Sequence, residues 1–102
     1  MKEIEFQVPR GCDLSDAEEK IEKICAEQGL VVTLKKPLAK FPGYIHWHYK
    51  RNSERGTLEL TLWREKHRVW AKVQDGRRAE WIEKNLPDLR KAIERGLSMR
   101  KS

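Results

Sequence analysis

Apolar and polar positions along the chain follow two periods. From Glu3 to Val8 they alternate, with Ile4, Phe6 and Val8 on one side and Glu3, Glu5 and Gln7 on the other. That period of two predicts a half-buried strand, stopped by Pro9-Arg10-Gly11. Ser15-Asp16-Ala17-Glu18 has the spacing of a capping box, in which the Ser15 hydroxyl accepts from the Glu18 amide and Glu18 reaches back. The helix predicted from there to about Gln28 carries Leu14, Ala17, Ile21, Ile24 and Cys25 as its apolar stripe. Its outer face is acidic, and Gly29 suits a left-handed C-terminal cap. Leu30 to Lys35 reads as a second strand, followed by a loop from Lys36 to Gly43 punctuated by Pro37 and Pro42. Three more alternating segments come next: Tyr44 to Lys50, Thr57 to Trp63, and Arg68 to Gln74, the last ended by Asp75-Gly76. From Arg77 to about Leu97 the spacing of Ile82, Leu86, Leu89, Ile93 and Leu97 predicts a helix. Pro87 inside it predicts a kink, or two consecutive helices meeting near Asn85. Residues 98–102 read as a frayed tail.

The order β-α-β-β-β-β-α predicts an α+β fold: a single five-stranded antiparallel sheet with both helices on one face, in one domain over residues 1–102. This order is similar to that of the TATA-binding-protein-like fold, with one helix after the first strand and a longer one at the end. The resemblance lies in element order alone and implies a curved sheet whose concave side is open. It carries no activity with it. Residues 56–97, from Gly56-Thr57-Leu58 through Leu86-Pro87-Asp88-Leu89-Arg90 to Leu97, also resemble the C-terminal domain of flagellar hook-length control proteins. That likeness is a hairpin followed by a Leu-Pro-x-Leu-Arg helix, and it lacks the strand that should follow Leu97.

The requirement that one sheet face be apolar throughout fixes the expected register. Pairing Trp63 with Arg68 sets Leu62 opposite Val69, Leu60 opposite Ala71 and Leu58 opposite Val73. Pairing Arg51 with Gly56 sets Tyr49 opposite Leu58, Trp47 opposite Leu60 and Ile45 opposite Leu62. The other face then reads Tyr44–Trp63–Arg68, His46–Thr61–Trp70 and His48–Glu59–Lys72, with Lys50 and Thr57 at the end. The candidate binding residues are therefore Tyr44, His46, His48, Lys50, Trp63, Arg68, Trp70 and Lys72. Trp is seldom left in water without a partner or ligand. Rings interleaved with cations on a sheet suit nucleic acid, RNA or single-stranded, with stacking on bases and pairing to phosphates. The same rings, Trp63, Trp70 and Tyr44, suit a protein partner or self-association into a homo-oligomer. A purely structural role, with Arg68 stacked on a ring and the face merely wet, is the third reading.

Charge changes this picture. The 102 residues carry a formal charge of +6, with 38% hydrophobic and 37% charged residues. Residues 1–30 hold four Lys/Arg against eight Asp/Glu, a balance of −4, and residues 31–102 hold eighteen against eight, or +10. A compact domain so polarised can turn one side to a polyanion. No apolar run approaches the ~20 residues of a bilayer span, so no membrane partner is expected. The opening Met1-Lys2-Glu3-Ile4-Glu5-Phe6 has no signal-peptide core, which makes the cytoplasm the expected compartment.

Chemistry adds little at this level. Cys12 and Cys25 lack the spacing of a zinc knuckle or redox dithiol and are expected to be structural. His46 and His48 sit two apart on one strand face, with Glu59 opposite His48. Their ~7 Å spacing would let both rings reach one ion. His67 belongs to the hairpin tip, no third strong ligand is evident, and the pair reads as two solvated histidines with no metal or other cofactor. No Gly-rich phosphate loop and no nucleophile–base pair appears, so a small binding module rather than an enzyme is expected.

Overall fold

The computed structural model describes residues 2–37 and 43–98. Its elements are β1 (Lys2–Glu5), α1 (Ala17–Glu27), β2 (Val31–Pro37), β3 (Tyr44–Lys50), β4 (Leu58–Trp63), β5 (Arg68–Val73) and α2 (Glu80–Ser98), with single 3-10 turns at Arg64–Lys66 and Asp75–Arg77. The fold is α+β, and the five strands form one antiparallel sheet in the order β1-β5-β4-β3-β2. The expected element order is the one found. Most of the loop expected between β2 and β3, residues 38–42, and the tail from residue 99 onward lie outside the described residues. Among the described residues, no helix is long and apolar enough to cross a membrane.

The register follows from the alternation. Ile45, Trp47 and Tyr49 of β3 pair with Leu62, Leu60 and Leu58 of β4, and Leu62 and Leu60 pair with Val69 and Ala71 of β5. All of these side chains are buried, and Trp47, Leu60, Leu62 and Val69 are completely so. Both helices close over that one face. Ile21 and Cys25 of α1 and Leu86, Leu89, Ile93 and Leu97 of α2 join the same core cluster, with Ile24 packed partly against it. At about 25 cal/mol per Å² of apolar surface removed from water, burial of this row is the main term holding the sheet to its helices.

Three local expectations need correction. The capping box does not form: Asp16 stands at the N-cap with no side-chain cap bond, and Asp13 Oδ1 accepts from the Ser15 amide instead (2.8 Å). Glu18 is drawn elsewhere. Its carboxylate meets Lys35 Nζ at 2.6 Å and the Arg64 guanidinium at 3.3 Å. Those cations, Lys35 first, hold the Glu18 carboxyl below the usual carboxylate range. The outer face of α1 is thus less acidic than it reads, because Glu22 also turns inward to Lys35 (2.6 Å) and to the Trp47 indole N–H (2.9 Å). Pro87 does not divide the last helix. α2 runs unbroken through it, and because Pro87 is exposed its ring faces away from the buried row. That helix begins at Glu80, three residues later than expected, after a 3-10 turn.

At the other end of α1 the expectation holds. Gly29 takes φ +79°, and the amides of Gly29 and Leu30 return to the carbonyls of Ala26 and Cys25 at 3.0 Å each. That is the paired closure of a Schellman motif, with Leu30 buried behind it.

Leu60 is the central test of this packing. Leu60→Ala should lower unfolding free energy by about 2–5 kcal/mol in a urea titration, since it leaves a cavity beneath both helices.

Candidate functional site: the open sheet face

β4 runs down the middle of the sheet, so its outward side chains are flanked on both sides. Short Thr57 and Thr61 and the carboxylate of Glu59 are buried there, at 7%, 2% and 4% exposure, because longer side chains on β3 and β5 close over them. The face therefore has a floor and walls, and divides into three parts.

The first part is aromatic. The rows Tyr44–Trp63–Arg68 and His46–Thr61–Trp70 occur as expected. The Tyr44 ring meets Trp63 and Trp70 edge-on, with centroids 5.7 and 6.0 Å away. Lys66 Nζ lies 6.0 Å from the Trp63 ring. The Arg68 guanidinium stacks 4.7 Å above Trp70 and is gripped by Glu5 through two hydrogen bonds of 2.7 Å. That fork lowers the Glu5 pKa and raises that of Arg68. β1 supplies this carboxylate by pairing Glu5 with Trp70 and Glu3 with Lys72. Arg68 and Lys72 thus face acidic neighbours, and all three rings are half-buried against one another.

The second part is a cluster of His46, His48 and Glu59. The two Nε2 atoms are 3.1 Å apart, and Glu59 Oε1 lies 3.3 Å from that of His46 and 3.8 Å from that of His48. His46 Nδ1 is hydrogen-bonded with the buried Thr61 hydroxyl at 2.9 Å. The second oxygen of Glu59 accepts from Gln74 Nε2 at 2.8 Å, with Arg77 Nη1 at 3.9 Å. Burial lowers the His46 pKa, opposed by the Glu59 charge, so that imidazole favours its neutral form. These histidines are not the solvated pair that their sequence spacing suggested: each side chain is only about one-fifth exposed. His67 is apart from them, as expected, with Nε2 3.3 Å from the Pro9 carbonyl oxygen and 3.5 Å from Cys12 Sγ.

The third part is a pair of hollows that meet at His48. One, of about 490 Å³, is lined by Lys50, Arg55 and Arg77 together with Thr33 and Thr57. The other, of about 250 Å³, lies between Lys36, Leu34, Tyr44 and His46. Among the described residues, Lys36, Lys50 and Arg55 make no ion pair with a carboxylate. The larger hollow is built by the β3–β4 connection folding onto the start of α2. The Thr57 amide donates to the Arg77 carbonyl (3.0 Å), and the Trp81 indole to the Arg55 carbonyl (2.6 Å). Gly56 makes that approach feasible. It takes φ +99°, and a Cβ there would stand 2.5 Å from the Ala79 Cβ.

Of the eight candidates, His46, His48, Lys50 and Tyr44 line the hollows, while Trp63, Arg68, Trp70 and Lys72 form the neighbouring aromatic and ion-paired region. Sequence reading missed Lys36, Arg55, Gln74 and Arg77. Lys36 belonged to a segment read as loop, and the other three reach the face from turns and connections. The cysteines are both free, and burial pushes the Cys25 thiol up to about 12 and raises that of half-buried Cys12, so neither is poised as a nucleophile. Compared with known protein families, with curated proteins and with solved structures, the chain matches none of them.

Gly56→Ala should destabilise the protein by about 2–5 kcal/mol, combining left-handed backbone strain with a clash that no rotamer relieves. A shift of the urea midpoint with unchanged slope is the expected readout.

Proposed function

We propose that this domain is a binding module for nucleic acid, RNA or single-stranded, whose backbone follows the hollows along β3. The observation that carries this reading is the continuity of those hollows at His48. Lys50, Arg55 and Arg77 stand at one end and Lys36 at the other. Cations spaced along a groove attract successive phosphates, and release of counterions supplies the affinity. Tyr44 borders the smaller hollow and abuts both Trp63 and Trp70, so a base resting there has a ring to stack on. Arg68 contributes less charge than its exposure suggests, since Glu5 neutralises it.

A protein partner or a second copy docking on Trp63, Trp70 and Tyr44 is the other reading. The mutual packing of those rings counts against it, because it leaves little flat apolar surface. Among the described residues, the large apolar side chains that are exposed, Val31 at 51% and Val32 at 41%, lie on β2 instead.

Salt separates the contributions. Log affinity for a single strand should fall with log salt by ~0.7 per phosphate neutralised, and Arg55→Ala and Lys50→Ala should each flatten that slope. Arg68→Ala should change it least. Tyr44→Ala should weaken binding about equally at every salt concentration, by ~1–3 kcal/mol for a stacked base. Absence of any binding tighter than ~10⁻⁴ M, weaker than ordinary non-specific affinity, would refute the proposal. A loss of oligomer mass in Trp70→Ala without such binding would point to the protein contact.

A further inference from the structure

Independently of what occupies the hollows, we propose that His46, His48 and Glu59 form a site for one divalent transition-metal ion of the zinc type, with coordination positions open to the groove. The donors are two imidazole Nε2 atoms and one carboxylate oxygen, a set that binds zinc in sites keeping an open position. Their separations of 3.1, 3.3 and 3.8 Å are those of atoms sharing one ion. Metal–ligand bonds of about 2.0–2.2 Å at tetrahedral angles put neighbouring donors roughly 3.3 Å apart. The triangle therefore accepts an ion without first being opened or closed.

The surroundings hold the donors in that arrangement. The Thr61 hydroxyl can accept from His46 Nδ1–H, which leaves the Nε2 lone pair free for an ion. Gln74 holds Glu59 Oε2, leaving Oε1 turned to the two rings. All three ligands rise from paired positions on β3 and β4, where His46 lies opposite Thr61 and His48 opposite Glu59, so the site rests on rigid ladder geometry. Access comes from the groove side, because His48 borders both hollows. Lys36 lines the smaller hollow beside both histidines, and the other opposing group is Arg77, whose guanidinium lies 3.5 Å from His48 Nδ1 and 3.9 Å from Glu59 Oε2. It sits on an exposed turn, and an arriving cation would displace it toward solvent.

The full-length protein, stripped with chelator and assayed without nucleic acid, is titrated with zinc chloride and separately with cobalt chloride. One equivalent should bind. The melting temperature should rise with free zinc, and bound cobalt should show the visible absorption of a low-coordinate N/O site. Both responses should vanish in His46→Gln/His48→Gln. Glu59→Gln should weaken binding at least tenfold, and if that buried change impairs folding the histidine pair alone decides. His67→Gln should bind as the wild type does. The absence of saturable binding below millimolar zinc overturns the site, as does binding that survives the double histidine change or follows His67. None of these readouts involves a nucleic acid, so the site can stand or fall apart from the function proposed above.

Discussion

On the three strands β3, β4 and β5, every residue that faces the helices forces its neighbours to face away. Trp47, Leu60 and Ala71 share one row, so His46, Thr61 and Trp70 must share the adjacent row on the other side. Slipping the register by one residue would drive Glu59 into the layer of Leu89 and Ile93 and expose Leu60 to water. The composition of the open face is thus tied to the packing of the core. Changes that preserve the core preserve the rows of the face, whatever those rows bind.

The central hairpins were legible because a strand pattern with a strict apolar side leaves few registers to choose from. The limits of sequence reading lie with contacts between distant segments. The capping box at Ser15 and Glu18 is a valid local pattern, but it takes no account of Lys35 and Arg64, which compete for the same carboxylate. Pro87 is locally a helix breaker, yet Leu86, Leu89 and Ile93 hold both halves of α2 against one sheet. On the candidate site, His46, His48 and Glu59 were aligned correctly by register. Their burial was not visible, because it depends on Gln74 and Arg77 arriving from the turn after β5 and on the crowding of a central strand.

Charge along the chain also differs from charge on the surface. The first thirty residues are acidic and the rest basic, which suggested one negative and one positive side. Folding brings Glu3 and Glu5 of β1 beside Lys72 and Arg68 of β5, cancelling charge across one half of the open face. Glu18 and Glu22 cancel Lys35 beneath the other half. Among the described residues, Lys36, Lys50 and Arg55 make no ion pair with a carboxylate, and they line the hollows along β2, β3 and the connection to β4. This groove therefore carries positive charge that the ion pairs do not cancel.

β2 forms one border of the sheet, where a row of backbone donors and acceptors faces outward. Such a border invites a foreign strand, and the exposed Val31 and Val32 add to the invitation. The irregularity between Val32 and Leu34 breaks the pleat just beyond them, and Lys35, Lys36 and Pro37 follow immediately. An incoming chain meets two well-formed residues, then a kink, the positive charge of Lys36 and a missing N–H. Fibrillar stacking along this border therefore has no continuous template.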